Sequence, residues 1–276
     1  MTRYDTVSFL TDYGTTDEFV GVVKAVIRDL APHVTVVDLT HGITPFDVRA
    51  GALALARSVA YVPAGVIVAV VDPGVGTDRR AVAIEVAGGA GVFVGPDNGL
   101  LAPAVAVAGG AERAVELTNP EYRLAAPGAT FDGRDVFGPA AAHLCNGVAL
   151  TDLGPEIDPG LLLPATIPLP RHETGEPGES GESEVVIAEV LWVDRYGNCQ
   201  LNVGPDDLSA GWGDYVQLAY GDGRGGDDVR RARRTASFAG LPAGTAGLVL
   251  DSYGMLAVCL ERRSAADELG LSTGTQ

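Results

Sequence analysis

Apolar, strand-like runs alternate with segments of helical periodicity in the N-terminal part of the chain. The strand-like runs are "TVSFLTDYG", "VTVVDLTHGI" and "GVIVAVVDPGVG", and the helical ones, each ending at a proline, are "DEFVGVVKAVIRDLAP" and "DVRAGALALARSVAYVP". Further along, "AVAIEVAGGAGVFVGPDNGLL" predicts a hairpin that leads into a turn, and "DVFGPAAAHLCNG" predicts a short helix. This alternation indicates an α/β domain, with a central sheet flanked by helices on both faces.

The pattern changes after residue 168. The segment "PLPRHETGEPGESGESE" is rich in Pro, Gly, Ser and Glu and has no periodicity, which is typical of a linker or an exposed loop. Beyond it, runs such as "VVIAEVLWVDRYGNCQLNV" and "AGLVLDSYGMLAVCLE" predict short strands separated by glycine turns, which favours a small all-β barrel or sandwich. We predict an α/β domain over 1–168, a linker over 169–184 and a smaller all-β barrel domain over 185–276.

Composition and net charge argue against several classes of partner and site. The 276 residues carry a formal net charge of −17, so we expect no nucleic-acid partner, and we interpret the basic run "RRARR" at 230–234 as a solvated hairpin or loop. The 3 cysteines and 4 histidines show no metal-ligand spacing, so no metal site is predicted. Without a long apolar run or a signal-peptide pattern, we expect a cytoplasmic protein with no membrane partner.

Carboxylates recur where the strand-like runs end, which is the edge of an α/β sheet where ligands bind. Taken singly, each is also a common turn former, and Asp17 is a candidate N-cap for the helix that follows it. No phosphate loop, dinucleotide fingerprint or nucleophile elbow is present, and the acidic rim would repel phosphate. A ribose diol is a better ligand for carboxylates, which can accept hydrogen bonds from both of its hydroxyls. The candidate catalytic groups that remain are carboxylates together with arginine.

Several motifs, in order and over nearly the whole chain, carry a family resemblance. They are "FLTDYGTTDEFVG", "VDLTHGITPFDVRAGA", "VVDPGVGTDRRAVA", "GPDNGLL", "TFDGRDVFGPAAAHL", "VDRYGN" and "DSYGMLAV". This set resembles the S-adenosylmethionine (SAM) hydroxide adenosyltransferases, the adenosine-forming SAM hydrolases that are related to the SAM-dependent fluorinase and chlorinase. The resemblance implies a homotrimer, with SAM between the N-terminal domain of one subunit and the C-terminal domain of its neighbour.

The implied reaction is in-line attack of water or hydroxide at ribose C5′, which yields adenosine and L-methionine. SAM is then the substrate, and no cofactor is expected. In the N-terminal domain, Asp12 matches the aspartate that holds the ribose hydroxyls, Asp17 a carboxylate near the methionine amino group, and Phe46 an aromatic residue near ribose and adenine. Asn98 and Thr130 complete the predicted substrate-binding residues of this domain.

In the C-terminal domain, Asp194, Tyr196 and Asn198 match a motif of the D-x-F-G-N type. The resemblance implies that its polar residues bind methionine or adenine and that its aromatic residue stacks. Ser252 matches a serine that contacts the methionine carboxylate, although Tyr253 stands where the fluorinase has arginine beside it.

The choice between hydroxide and halide depends on Asp72, because the halogenases that the chain resembles have tyrosine there. A halide about 4 Å from a carboxylate is repelled by several kcal/mol at an effective dielectric near 20, so water is favoured. The hydrolases carry an arginine seven positions later, here Arg79, but have histidine where this chain has Asp132. We predict Asp72, Arg79 and Asp132 as catalytic residues, with Gly133 leaving room for water.

Two interpretations of Asp132 stay open at this point. In the first, Asp132 forms a cluster with Asp72 and Arg79 that positions a water. In the second, Asp132 has no such role and either merely anchors Arg79 or points away. Membership of Arg80 and Arg134 in the site is also open. A SAM-dependent halogenase and a non-catalytic SAM or adenosine binder are the alternative functions.

Overall fold

The computed structural model describes residues 4–174, 184–209, 212–221 and 228–276. The chain forms two compact units, Met1–Thr166 and Ile167–Gln276. Each unit has its own sheet.

The first unit contains a mixed seven-stranded sheet in the order β2-β1-β3-β5-β4-β6-β7. Neighbours among β2, β1, β3 and β5 are parallel, whereas β4, β6 and β7 join by antiparallel pairing. The strands are β1 Thr6–Thr11, β2 Thr35–Thr40, β3 Gly65–Val70, β4 Ala81–Val86, β5 Gly91–Pro96, β6 Arg113–Glu116 and β7 Glu156–Ile157.

Helices cover both faces of this sheet. They are α1 Phe19–Leu30, α2 Val48–Ser58, α3 Ala102–Val107 and α4 Gly138–Cys145. Alternate residues of β3 enter two separate cores: Val66 and Val68 pack with α1 and α4, and Ile67 and Ala69 with α2 and α3. Because successive strand side chains point to opposite faces, a β3 that is apolar throughout is buried on both sides. The predicted sheet with flanking helices is confirmed.

Local features of the first unit also match the predictions made from the hydrophobic and polar pattern of the sequence. Strands β4 and β5 form the predicted hairpin, with Ala81 opposite Pro96 and Val86 opposite Gly91. The predicted short helix is α4, and a π-helical turn, Gly133–Phe137, leads directly into it. A π turn is rare and is often found at a functional site.

The second unit is rich in strands. Its six-stranded sheet has the order β10-β11-β15-β14-β13-β12, and β8 and β9 form a separate pair. Its elements are β8 Arg171–Thr174, β9 Glu184–Ile187, β10 Val190–Val193, β11 Cys199–Leu201, β12 Tyr215–Tyr220, β13 Asp228–Thr235, β14 Ala246–Leu250, β15 Leu256–Cys259 and α5 Ala265–Leu269. The helix α5 departs from an all-β unit, because Ser264 caps its start and Gly270 ends it in the left-handed conformation.

Part of the predicted linker is a strand. Residues 171–174 form β8 and pair antiparallel with β9, placing Arg171 opposite Ile187, and residues 175–183 lie outside the described part of the chain. Local composition carries no sign of this pairing, which depends on a partner later in the chain. The basic run at 230–234 lies in β13, which pairs antiparallel with β12. In the described ranges, no helix has the length and apolar character to cross a membrane.

Candidate active site

A glycine-rich loop after β3 carries Asp72 and Arg79. Gly76 has φ +77°, and a Cβ at this position would lie 2.9 Å from the carbonyl oxygen of Ala129. A glycine is therefore required both by the backbone conformation and by the close approach. This contact places the loop against the segment that leads to Asp132.

The three predicted catalytic residues form one cluster. The Arg79 Nε–H donates to both Asp72 oxygens at 3.0 Å, and Nη2 donates to Asp72 Oδ2 at 2.5 Å and to Asp132 Oδ2. The side chains of Arg79, Asp72 and Asp132 are 12%, 6% and 16% exposed, so solvent screens the cluster only weakly. Asp132 points at Arg79, which rules out the interpretation that it points away.

The cluster combines two carboxylates with one guanidinium. Burial alone would lower the pKa of Arg79, but hydrogen bonds and negative charge from Asp72 and Asp132 outweigh it and raise the pKa. The guanidinium also lies over the ring of Phe137, 5.3 Å from its centroid, at the end of the π turn. Arg79 is thus held cationic and fixed in orientation.

Asp12 positions Phe46. The Asp12 carboxylate accepts the Phe46 backbone N–H at 2.9 Å through Oδ2. Phe46 has φ +69°, a left-handed conformation that is strained for a side chain of this kind, and it is 72% exposed. The aspartate expected to hold ribose therefore also holds the aromatic residue expected to pack beside it.

A polar chain that runs from the buried Thr11 and His41 to the exposed Asp38 anchors this loop, and it was not among the sequence predictions. The Tyr13 N–H donates to Thr11 Oγ1 at 3.1 Å, and Thr11 Oγ1 lies 2.8 Å from His41 Nδ1. His41 Nε2 lies 3.1 Å from Asp38 Oδ1. Because a carboxylate only accepts, Nε2 carries a proton toward Asp38, and in the neutral imidazole Nδ1 accepts from the Thr11 hydroxyl. The sequence feature that could have indicated this chain is His41, a histidine directly after the strand β2.

Asn98 supports the Asp72 loop. Its Nδ2 donates to the Val71 carbonyl at 2.9 Å, and its Oδ1 accepts the Leu100 N–H at 3.1 Å. Both ends of this amide are therefore engaged with backbone, one of them directly before Asp72.

Asp17 and Thr130 are exposed. The N-cap residue of α1 is Glu18, so the interpretation of Asp17 as a helix cap is wrong.

Arg80 and Arg134 form ion pairs with aspartates outside the cluster of Asp72, Arg79 and Asp132. Arg80 donates to Asp97 at 2.9 and 2.5 Å and to a backbone carbonyl. Arg134 donates to its neighbour Asp135 at 2.6 and 2.8 Å. Neither guanidinium is recruited to Asp72 and Asp132.

The expectation that Gly133 leaves room for water is corrected. A Cβ at Gly133 would lie 2.3 Å from the Tyr13 hydroxyl oxygen, so Tyr13 occupies that space. The Tyr13 ring packs with Phe19 and Phe131, at centroid distances of 5.9 and 5.8 Å. Sequence reasoning could not identify this contact, because the two residues are far apart in the chain.

Two turns of the second unit share one construction. Asp194 Oδ1 accepts the N–H groups of Tyr196 and Asn198 at 2.8 and 2.9 Å, and Oδ2 accepts from Asn198 Nδ2 at 2.8 Å. Gly197, at φ +81°, completes this turn, and Tyr196 is 79% exposed at its tip. The carboxylate therefore holds its own loop and presents the aromatic ring.

The second such turn contains Ser252, which is exposed. Asp251 Oδ1 accepts the N–H groups of Tyr253 and Met255 at 2.8 and 3.0 Å, and Gly254 has φ +80°. The repeated D-x-Y-G pattern is thus a repeated turn, and it presents Tyr253 at 46% exposure.

Both parts of the chain match models of one protein family. Residues 7–154 match the SAM hydroxide adenosyltransferase N-terminal domain, and residues 188–276 match the C-terminal domain of the same family. The chain belongs to the SAM hydroxide adenosyltransferase family.

Individual relatives refine the placement within that family. A Salinispora arenicola protein named (R)-S-adenosyl-L-methionine hydrolase is 43% identical over 270 residues, covering 98% of this chain and 95% of the relative. A fluorinase from Actinoplanes sp. is 28% identical over 236 residues, covering 77% of this chain and 76% of the fluorinase. The crystal structure of a conserved protein from Thermotoga maritima superposes with a TM-score of 0.82 at 31% identity, covering 98% of this chain and 97% of that one.

Proposed function

We propose that this protein hydrolyses SAM to adenosine and L-methionine by in-line attack of water at ribose C5′. The observation that carries the proposal is the buried cluster of Asp72, Arg79 and Asp132, in a chain that belongs to the SAM hydroxide adenosyltransferase family.

The chemistry asks little of the protein beyond positioning. The water oxygen forms a bond to C5′ while the C5′–S bond breaks, and the bonding electron pair moves to sulfur as methionine becomes a neutral thioether. The proton lost by the attacking oxygen passes to a carboxylate of the cluster and then to solvent. Since a sulfonium leaves readily, no acid is needed, and holding water in line supplies most of the acceleration.

Charge favours water over halide as the nucleophile. Two carboxylates and one guanidinium give the cluster a formal charge of −1, and Asp72 is 6% exposed. A halide about 4 Å from a single unpaired carboxylate would be opposed by roughly 4 kcal/mol at an effective dielectric of 20, and Arg79 reduces this repulsion but leaves the charge of one of the two carboxylates uncompensated. Water donates hydrogen bonds to the same carboxylates.

In the first unit, we assign the ribose hydroxyls to Asp12, since its Oδ1 is not the atom that holds Phe46. Phe46, exposed and held in position, packs against ribose and adenine. Asp17 binds the methionine amino group, Thr130 lines the site, and Asn98 acts through the backbone before Asp72.

In the second unit, Tyr196 stacks on the substrate, and Asp194 and Asn198 contribute by shaping its turn. Ser252 contacts the methionine carboxylate. These roles accompany two further parts of the proposal. The six-stranded sheet curls into a barrel, and the chain assembles as a homotrimer in which the N-terminal domain of one subunit and the C-terminal domain of its neighbour share each SAM. Sedimentation equilibrium of the purified protein tests the trimer.

The activity is tested by incubating purified protein with SAM, with and without chloride, and separating the products by chromatography. Adenosine and methionine in equal amounts, independent of chloride, support the hydrolase. Formation of 5′-chloro-5′-deoxyadenosine supports a halogenase, and unchanged SAM with measurable binding supports a non-catalytic binder. Asp72→Ala and Asp132→Ala should each lower adenosine release, whereas Asp78→Ala, an exposed aspartate of the same loop, is the matched control.

A further inference from the structure

Tyr13 lies beside the cluster and has no role in the reaction described so far. Its loop and the Asp72 loop follow two strands that run side by side, with Thr11 of β1 opposite Val70 of β3. The Asp12 N–H donates to the Val70 carbonyl at 3.3 Å, and the Tyr13 N–H is held by Thr11 at 3.1 Å. The backbone that carries Tyr13 is thus fixed relative to the backbone that carries Asp72.

The side chain of Tyr13 reaches the segment around Asp132. Its ring packs edge-to-face on Phe131, the residue before Asp132, and its hydroxyl contacts Gly133, the residue after it. Only a glycine at position 133 admits the hydroxyl there, because a Cβ would lie 2.3 Å from the oxygen. The phenol is therefore placed against the Asp132 side of the cluster by contacts on both of its flanks.

Tyr13 provides a neutral hydrogen-bond donor in this region. Burial raises the pKa of Tyr13, and the negative charges of Asp12, Asp72 and Asp132 raise it further against the opposing effect of Arg79. The phenol consequently keeps its proton throughout the physiological pH range. Within the described part of the chain, no protein group accepts a hydrogen bond from this hydroxyl. The two carboxylates can only accept, and the Nε and Nη2 groups of Arg79 are engaged with them.

Building on the hydrolysis proposed above, we propose that the Tyr13 hydroxyl donates a hydrogen bond to the attacking water and orients its reacting lone pair. A water molecule has two hydrogens and two lone pairs in a tetrahedral arrangement. With its hydrogens on Asp72 and Asp132, one lone pair must face C5′, and a donor on the other lone pair fixes that direction. The Nη1 group of Arg79 is the competing donor, and the experiment separates the two.

The test is Tyr13→Phe, which keeps the ring and its packing and removes only the hydroxyl. We expect kcat for adenosine release to fall roughly tenfold, the loss that goes with one hydrogen bond, while KM for SAM stays within about twofold. The matched control is Tyr122→Phe, since Tyr122 also packs edge-to-face on a neighbouring ring, that of His143, and its pKa is raised by burial, Glu121 and Asp152. The control should retain full kcat.

Each outcome has a clear reading. An unchanged kcat in Tyr13→Phe, with wild type active, overturns the inference and favours Arg79 Nη1 as the donor. A fall in melting temperature with kcat and KM changing together indicates a structural role and also overturns it. Absence of adenosine from the wild type refutes the proposed function and this inference with it.

A second variant provides a readout that a packing role would not change. Incorporation of a ring-fluorinated tyrosine at position 13 makes the phenol more acidic while preserving its shape. We expect kcat of this protein to fall as pH rises through the lowered phenol pKa, in a range where the wild type stays active. A pH profile identical to that of the wild type contradicts donation by Tyr13.

Discussion

The contact between Gly133 and Tyr13 can be measured directly in a double-mutant cycle of Gly133→Ala and Tyr13→Phe. An added Cβ would lie 2.3 Å from the Tyr13 hydroxyl oxygen and 3.1 and 3.2 Å from two ring carbons. Removing the hydroxyl therefore eliminates the severe overlap and leaves contacts that small shifts of a few tenths of an ångström can relieve.

The magnitude follows from these distances. Overpacking of this kind costs about 1–3 kcal/mol, whereas alanine in place of glycine within a helical turn gains about 0.5–1 kcal/mol. The propensity gain is the same in both backgrounds and cancels in the cycle. Because Tyr13→Phe removes most of the overlap, the coupling free energy should be about 1–2 kcal/mol, and Gly133→Ala should be tolerated better in that variant than in the wild type.

The assay is urea unfolding of the four proteins, followed by far-ultraviolet circular dichroism. Helices α1 to α4 lie in the first unit, so this signal reports mainly on the unit that is perturbed. Trp192 and Trp212, the 2 tryptophans, lie in the second unit, and their fluorescence transition serves as an internal reference.

The control cycle pairs Tyr13→Phe with Gly21→Ala, because a Cβ at Gly21 in α1 would meet no atom within 4 Å. The two changes should be additive. A coupling below about 0.5 kcal/mol in the Gly133 cycle, near the limit of additivity between independent sites, would refute the argument from steric contact.

Three further outcomes are expected. Phe46→Gly places a glycine at a left-handed backbone position, φ +69°, so thermal melts should show an unchanged or higher melting temperature. Steady-state kinetics should show a higher KM for SAM, because the exposed ring is lost. Burial lowers the pKa of His143 from 6.5, so the unfolded state binds its proton more readily and the wild type loses stability as pH falls below about 6.5; urea midpoints at pH 7 and 5 should differ less in His143→Gln. Burial raises the pKa of Cys145 and Cys199 to about 12 and of Cys259 to about 11, so the native protein should react slowly with an aromatic disulfide reagent at pH 8, whereas the urea-unfolded protein should release 3 equivalents.

The parts of the fold that follow local pattern were predictable from sequence. The run that became β3 is apolar at every position because both of its faces are buried, and a polar residue two positions beyond its end marks the edge of the sheet where Asp72 lies. Asp72 and Arg79 are separated by a short glycine-rich loop, so their pairing is a local event. The meeting of Arg79 with Asp132 joins residues 53 positions apart, and only the resemblance indicated it in advance.

Other features depend on contacts that a single sequence does not display. The strand Arg171–Thr174 looked like linker because its partner, Glu184–Ile187, lies beyond a polar segment of similar composition. The glycine at 133 suggested open space, but a side chain from the loop after β1 fills it. Both differences have one cause. The hydrophobic and polar pattern of a segment indicates its own conformational preference, but the residues that pack against the segment come from elsewhere in the chain.

Asp132 changes the electrostatics of the cluster in a direction that suits hydrolysis. Asp72 with Arg79 is a neutral pair, and Asp132 adds one negative charge at 16% exposure, where screening is weak. During the proposed substitution, positive charge moves from the sulfonium to the attacking oxygen, because that oxygen forms its new bond before it loses its proton. The attraction between a carboxylate and this oxygen therefore increases along the reaction. Arg79 reduces the repulsion between the two carboxylates by donating to both. In the proposed reaction, the carboxylate–guanidinium–carboxylate arrangement would therefore supply a negative potential and a proton acceptor at the attacking atom. The negative potential disfavours binding of a halide anion, and the proton acceptor serves only a nucleophile that has a proton to lose.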